Sequence, residues 1–299
     1  MNLARKSFNA YLLIHSTIIQ DYCMHKSIRI HDYDSSVGHI QLNDSYYYVI
    51  LLKDVKSISI NVVDYETADF TVLFLTPFQL LNIQLQSNSM VKVLQFHADF
   101  YCIEYHKKEV ACNGVLFNNI FERPLIDTTS QFYEEINTLF ELVEKIQHSI
   151  VSYNLSIMKA YLQLILALCN REMLVQRQLY NHTSSITLSD LRNLINANFI
   201  EQRSVQFYAD HYSMNMNSFS KRVKQEYGKS PLVLIQERMI LEAKKLLHLT
   251  YKSIKEVAVV LGFEDVFYFS RFFKKHVGVS PKKFRQEVGI AEIAEKSID

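Results

Sequence analysis

Apolar and polar residues alternate over two early stretches, Ser57-Ile58-Ser59-Ile60-Asn61-Val62 and Leu81-Asn82-Ile83-Gln84-Leu85-Gln86. A period of two puts every apolar side chain on one face of an extended backbone, so both predict strands with one face buried. Tyr46–Leu52, Asp69–Leu75, Met90–Phe96 and Phe100–Tyr105 are short runs rich in β-branched and aromatic residues, which suit a pleated sheet. Strands this closely spaced, from about residue 40 to 118 with no helical period between them, predict an antiparallel sandwich or barrel.

After Pro124 the period lengthens. Phe132, Ile136, Leu139, Phe140, Val143, Ile146 and Ile150 recur at helical spacing, and so do Leu155, Met158, Tyr161, Leu162, Ile165, Leu168 and Leu174. Between Thr128 and Arg177 no proline intervenes, and Ser152–Asn154 offers a break, so two antiparallel helices are expected. They carry more apolar surface than a helix pair can hide from itself. Two uses of it stay open: packing onto the β domain, or a homodimer interface including Phe140, Ile146, Leu162 or Ile165. Arg177–Ser185 loses the period and turns polar, as a linker does, and beyond it the chain is helical to about Val288. The expected division is a β domain over 1–125, a helical dimerisation or packing segment over 126–178, a linker over 179–186 and an all-α domain over 187–290.

That last region contains a repeat. Phe219-Ser220-Lys221 returns as Phe269-Ser270-Arg271, Lys224 as Lys274, Gly228-Lys229-Ser230-Pro231 as Gly278-Val279-Ser280-Pro281, and Gln236-Glu237 as Gln286-Glu287. Each copy has the grammar of a helix, a tight turn and a second helix. Ser204 can cap a short helix to about His211, a turn runs through Tyr212–Met214, and Asn215 caps Met216–Tyr227. In the second copy Ser253 caps Ile254–Leu261, Gly262-Phe263 turns, and Glu264-Asp265 place negative charge at the next helix start. Ala209 and Ala258 are small where the helices must cross. Pro231–Leu249, opened by a proline at its first turn, predicts a long rigid helix between the copies.

Charge sharpens this picture. Residues 1–186 hold 14 Lys/Arg against 18 Asp/Glu, residues 187–299 hold 18 against 13, and 221–285 hold 15 against 6. A basic block beside a mildly acidic region suits a domain facing a polyanion. In the second helix of each copy, Phe219 and Val223, like Phe269 and Phe273, point inward. Asn217, Ser220, Lys221 and Lys224 form an outward stripe, matched by Phe267, Ser270, Arg271 and Lys274. A helix with such a stripe can lie in a major groove and reach base edges and phosphates. One such stripe is usually a solvated face. Its recurrence on the same helix of two copies points to double-stranded DNA.

At these residues the sequence resembles the AraC/XylS family of bacterial transcription regulators. The likeness spans about Ser204–Arg285 and is strongest in Ser253-Ile254-Lys255-Glu256-Val257-Ala258, Gly262-Phe263, Tyr268-Phe269-Ser270-Arg271-Phe272-Phe273-Lys274, Gly278-Val279-Ser280-Pro281 and Phe284-Arg285. The resemblance implies a multidomain α+β chain. An N-terminal cupin-like antiparallel β domain with a helical hairpin would precede an all-α domain of two helix-turn-helix units joined by a long helix. It further implies DNA and RNA polymerase as partners, a homodimer, and a small-molecule effector or dimerisation role for the N-terminal domain. Carried over by position, base contacts fall on Asn217, Ser220 and Lys221 in the first unit, and on Val266, Phe267, Tyr268 and Arg271 in the second. Lys224, Lys274 and Lys275 are expected on phosphates. Val266 and Phe267 are apolar where many relatives are polar. They can meet a thymine methyl, or pack inward and leave Arg271 as that unit's base reader.

The competing reading is a metal-dependent cupin enzyme with an appended DNA-binding domain. His25, His31, His39, His97 and His106 form no H-x-H pair, and Glu104 with His106 lacks further partners. Three or four convergent ligands are needed, so neither a catalytic residue, a metal nor a cofactor is assigned. Tyr46, Tyr47, Tyr48, Phe70, Phe74 and Phe78 could line an effector pocket or form plain core. Cys23, Cys102, Cys112 and Cys169 are scattered, like buried free thiols in a reducing compartment. The apolar stretch after Lys6 contains His15 and Gln20, unlike a signal peptide, and Ile157–Cys169 is broken by Lys159 and Gln163, unlike a membrane span. A cytoplasmic protein is expected.

Overall fold

One sheet, buried on both sides, separates two apolar cores among the described residues. A computed structural model of the chain describes residues 28–61, 63–101, 116–117, 120–147, 153–181, 188 and 190–290. Along the chain come β1 (Arg29–Asp34), β2 (His39–Leu42), β3 (Tyr47–Lys53), β4 (Ser57–Ile60), β5 (Val63–Glu66), β6 (Phe70–Leu75), β7 (Leu81–Gln84), β8 (Met90–Phe96) and β9 (Leu125–Asp127). They are followed by α1 (Ser130–Gln147), α2 (Asn154–Asn181), α3 (Leu191–Asn198), α4 (Val205–His211), α5 (Met216–Tyr227), α6 (Pro231–Leu249), α7 (Ile254–Val260), α8 (Val266–Val277) and α9 (Pro281–Val288).

The strands form two antiparallel sheets, of order β1-β8-β3-β6-β9 and β2-β7-β4-β5. Between them lies a core of Tyr48, Ile50, Leu52, Ile58, Leu73, Ile83 and Val93. The opposite face of the first sheet, Val49, Leu51, Val72, Phe74, Leu94 and Phe96, belongs to a second core shared with the helices. Two-sided burial explains why β3 reads as a continuous apolar run, whereas β4 and β7, each covered on one side, alternate. Strand β3 keeps register with β8 residue by residue, from Tyr47 opposite Phe96 to Lys53 opposite Met90.

The helical hairpin α1–α2 covers that outer face. Ile136, Phe140, Val143, Leu162, Ile165 and Cys169 are all fully buried there, so the expected dimer residues Phe140, Leu162 and Ile165 are core, and Ile146 is half-buried against the same core. Of the two uses left open, the inner surface of the hairpin serves packing onto the β domain. The helix also runs further than its period suggested: α2 continues to Asn181, so the first residues of the expected linker are helical. Polar composition alone does not end a helix that is already nucleated and packed upstream.

Phe100–Tyr105 is not confirmed as a strand. Phe100 sits in a turn, Tyr101 is outside any strand, and 102–105 lie outside the described residues. The aromatics considered as a pocket lining are mostly core: Tyr47 stacks on Phe96 with centroids 5.4 Å apart, Phe74 meets Phe117 edge-on at 5.8 Å, and Tyr48 and Phe78 are buried. Cys169 is a buried free thiol, while Cys23, Cys102 and Cys112 lie outside the described residues. No helix among the described residues is long and apolar enough to cross a membrane.

Candidate nucleic-acid interface

The C-terminal helices are organised by α6, which contacts α3, α5, α7, α8 and α9. Pro231 occupies its first turn and Ser230 Oγ accepts from Val233 N–H at 3.4 Å. Leu234, Ile235, Met239, Ala243 and Leu247 bury its inner faces. A nineteen-residue helix packed on several sides is a rod of about 28 Å, at 1.5 Å per residue.

On either side of this rod stands a short helix, a tight turn and a twelve-residue helix. In the first pair Ser204 Oγ accepts from Gln206 N–H at 3.2 Å and caps α4, and Asn215 Oδ1 accepts from Ser218 N–H at 2.8 Å and caps α5. In the second pair Ser253 and Glu256 satisfy one another's backbone N–H groups in a capping box at the start of α7. Asp265 caps α8 through both oxygens, from Phe267 N–H at 2.8 Å and Tyr268 N–H at 3.1 Å. Both turns close with the same bond back across five residues, Met214 N–H to Ala209 O at 3.0 Å and Phe263 N–H to Ala258 O at 2.9 Å. Ala209 and Ala258 are fully buried beneath, where a larger side chain would part the helices.

Each turn needs one left-handed residue, Ser213 with φ 52° in the first and Gly262 with φ 70° in the second. The difference follows from their surroundings. Ser213 is exposed, but a Cβ on Gly262 would stand 3.0 Å from Arg203 Nη2 and 3.2 Å from Ile200 Cγ2. Arg203 reaches across from the segment before α4 and donates to Leu261 O at 2.6 Å, Gly262 O at 2.8 Å and Ile200 O at 3.1 Å. Its guanidinium also lies 4.4 Å from the centroid of Phe263. A cation at the carbonyl end of α7 is favourably placed, and it ties the first pair to the second. Burial lowers the Arg203 pKa. Sequence reasoning missed Arg203, because nothing in the repeat marks a residue that acts across copies.

The outward faces of α5 and α8 carry the predicted stripe. Asn217, Lys221 and Lys224 are exposed and Ser220 is half-buried; Phe267, Arg271, Lys274 and Lys275 are exposed, and so is Tyr268. Val266 is the exception, half-buried against the core, so of the two apolar residues it is the one that packs inward. Phe219, Val223, Phe269 and Phe273 anchor the other face of each helix and are fully buried. Lys221, Lys224, Lys274 and Lys275 form no ion pair among the described residues. Arg271 has only a long contact of 4.0 Å with Asp265. The basic groups are left available to an outside anion.

The β domain touches the C-terminal helices at two places, α3 and α5 beside the first pair and α6 and α9 beside the second. Near the first, Arg192 Nη2 meets Glu122 Oε1 at 2.8 Å, Lys229 Nζ donates to Ile120 O at 3.1 Å, and Phe121 packs on Tyr227. Near the second, Lys244 Nζ donates to Pro77 O at 2.8 Å, and Phe78 meets Phe284 with centroids 5.6 Å apart. Burial holds the Lys244 ammonium down at about 8. His97, weighed above as a metal ligand, instead accepts from Asp99 N–H at its Nδ1, which leaves Nε2 to donate to Glu287 O at 2.7 Å. Among the described residues no three His, Cys, Asp or Glu side chains stand together as a metal site; His25, Glu104 and His106 lie outside them.

The profile of a family described as a helix-turn-helix domain matches residues 208–287. The chain is 26% identical over 153 residues to the HTH-type transcriptional activator RhaS of Enterobacter sp. (strain 638), covering 51% of this chain and 54% of that protein. To the transcriptional activator AggR of Escherichia coli it is 30% identical over 106 residues, covering 36% and 40%. The chain therefore matches only about half the length of these curated relatives. A crystal structure of ToxT from Vibrio cholerae aligns with 88% of this chain and 100% of its own, at 16% identity and a TM-score of 0.38. Over this helix-turn-helix region, residues 208–287, the chain is similar to transcription regulators of the AraC/XylS family.

Proposed function

We propose that the chain is a sequence-specific DNA-binding regulator of transcription whose α4–α5 and α7–α8 pairs work as two helix-turn-helix units. Each lays its second helix into one of two successive major-groove segments. The observation that carries this reading is the outward stripe of α5 repeated on α8, each on a helix whose opposite face is anchored by buried Phe and Val or Phe. Asn217, Ser220 and Lys221 read bases from α5, and Phe267, Tyr268 and Arg271 read them from α8; Val266 supports the tip of α8 from beneath. Lys224, Lys274 and Lys275 sit on phosphates, which fix register without reading sequence. The α6 rod holds the two helices one turn of DNA apart, a spacing of about 34 Å.

The chain divides into a cupin-like β domain over 1–125, a helical segment over 126–181, a linker at 182–186 and the reading domain at 187–290. The β domain modulates reading through its contacts at Arg192, Lys229 and Lys244, and RNA polymerase is the partner such a regulator works through. The homodimer reading moves to the outer face of α2, where Ile157, Leu164 and Val175 are exposed apolar residues at steps of a helical face. An effector is not placed among the sheet aromatics. Between the domains lies a cavity of about 30 Å³ lined in part by Tyr47, Thr76, Pro77, Lys244 and Phe284, room for a water or two. The enzyme reading gains no support from the ligand chemistry above.

Footprinting of the intact protein on genomic DNA tests the proposal. A defined set of sites, each with two protected major-groove segments on one face of the duplex, is the expected result. Protection without sequence preference at moderate salt contradicts it.

A further inference from the structure

We infer that Phe267 selects a pyrimidine carrying a C5-methyl group, so that the segment under α8 is chosen at that position by a methyl contact instead of a hydrogen bond. This rests on the DNA-reading function proposed above. Phe267 is the second residue of α8, in the turn that meets base edges when a reading helix enters a groove by its N-terminal end. Its side chain is 70% exposed, while Phe269 and Phe273 on the same helix are fully buried. Phe263, Phe269, Phe272 and Phe273 contact one another ring to ring, and Phe267 joins none of the described ring pairs. It is therefore not a core residue that has been left partly open.

Nor does it offer a polar group. The backbone N–H of Phe267 is taken by Asp265 Oδ1 at 2.8 Å, and that of Tyr268 by the other carboxylate oxygen. At the matching place on α5 stands Asn217, whose amide can bond a base edge. What the tip of α8 presents at Phe267 is an apolar ring alone, one turn before the exposed guanidinium of Arg271. On the major-groove floor the apolar feature is the thymine C5-methyl; a 5-methylcytosine carries the same group at the same place. The two share one chemistry, and the operator's own base at that position decides which is met.

The test uses the full-length chain and an operator defined by footprinting. Each thymine in the segment under α8 is replaced singly by deoxyuridine, which removes the methyl and keeps the base pair. At one position the wild-type protein is expected to bind about three- to tenfold more weakly, the scale of burying one methyl and part of a ring. Phe267→Ala is expected to bind the thymine duplex more weakly by a similar factor and to lose the difference between thymine and deoxyuridine there. Circular dichroism checks its fold, which an exposed site should leave intact. In a third arm, cytosine and 5-methylcytosine are compared at that position. A gain on methylation for wild type and none for Phe267→Ala identifies the methyl itself as the recognised group. The inference is overturned if wild type binds every deoxyuridine duplex as tightly as the parent while still preferring the operator over unrelated DNA, or if Phe267→Ala keeps the methyl dependence. Should operator and unrelated DNA bind alike, the DNA-reading function itself falls.

Discussion

The α4–α5 and α7–α8 pairs share a frame and differ in what they present. Both bury an alanine under the turn, close the turn with the same backbone bond and anchor the second helix with paired aromatic or aliphatic residues. On that frame α5 shows Asn217, Ser220 and Lys221, neutral or cationic hydrogen-bonding groups behind a neutral Asn215 cap. The α8 helix shows Phe267, Tyr268 and Arg271 behind an acidic cap, and the turn before it is gripped by Arg203 from the segment before α4. The two pairs share the residues that make the fold and most of the outward stripe, and differ at its tip, where Asn217 stands opposite Phe267. An operator read by such a protein is expected to have two chemically unlike halves.

The largest effect is expected where the frame itself is broken. Phe219→Ala and Phe269→Ala each remove a fully buried ring, and both should cost about 3–5 kcal/mol of stability, measured by chemical denaturation. If one costs little, that pair does not share the packing described for the other. Next comes the turn. Gly262→Ala forces a side chain into left-handed backbone and against Arg203 and Ile200, and should lose about 1–2 kcal/mol or more. Ser213→Gly at the matching turn should stay within about 1 kcal/mol of wild type, since relief of strain offsets the greater freedom of glycine when unfolded. Equal losses at the two turns would show that Arg203 does not crowd the second.

Much of this frame is legible in the sequence. Ser204, Asn215, Ser230, Ser253 and Asp265 announce the helix starts, and α5 and α6 begin and end where caps and the flanking glycine or threonine put them. The strands with a clean period or a long apolar run are also legible. Less so are β1, β2, β5 and β9. The first of these is an edge strand reading Arg-Ile-His-Asp-Tyr-Asp, mostly exposed, and the last is three residues long, so neither carries a hydrophobic period. The site is half legible. Which side of α8 faces out follows from helical spacing, but Val266 and Phe267 are adjacent apolar residues and only packing tells them apart. Contacts between distant segments, such as Arg203 with Leu261 or His97 with Glu287, leave no local mark in the chain.

A smaller effect should appear at the domain junction. Lys244 has a depressed pKa of about 8 when docked and would regain an ordinary, higher value if the domains parted. The docked form then binds fewer protons than the open form between those values, so raising the pH from about 8 towards 10 should favour docking. Thermal stability of the full chain should rise across that window relative to Lys244→Met, in which the titrating group is gone. The same slope in both proteins would remove Lys244 as its source.

The central claim is that the two outward faces read two different segments of one operator. Hydroxyl-radical footprinting of the intact protein, alongside Lys221→Ala and Arg271→Ala, tests it most directly. Each substitution should cost about 1–3 kcal/mol of specific binding and relax sequence preference in one segment only, Lys221→Ala in one and Arg271→Ala in the other, about one helical turn away. If both substitutions weaken the same segment, or either leaves binding and preference unchanged, the account of two separate reading faces is wrong.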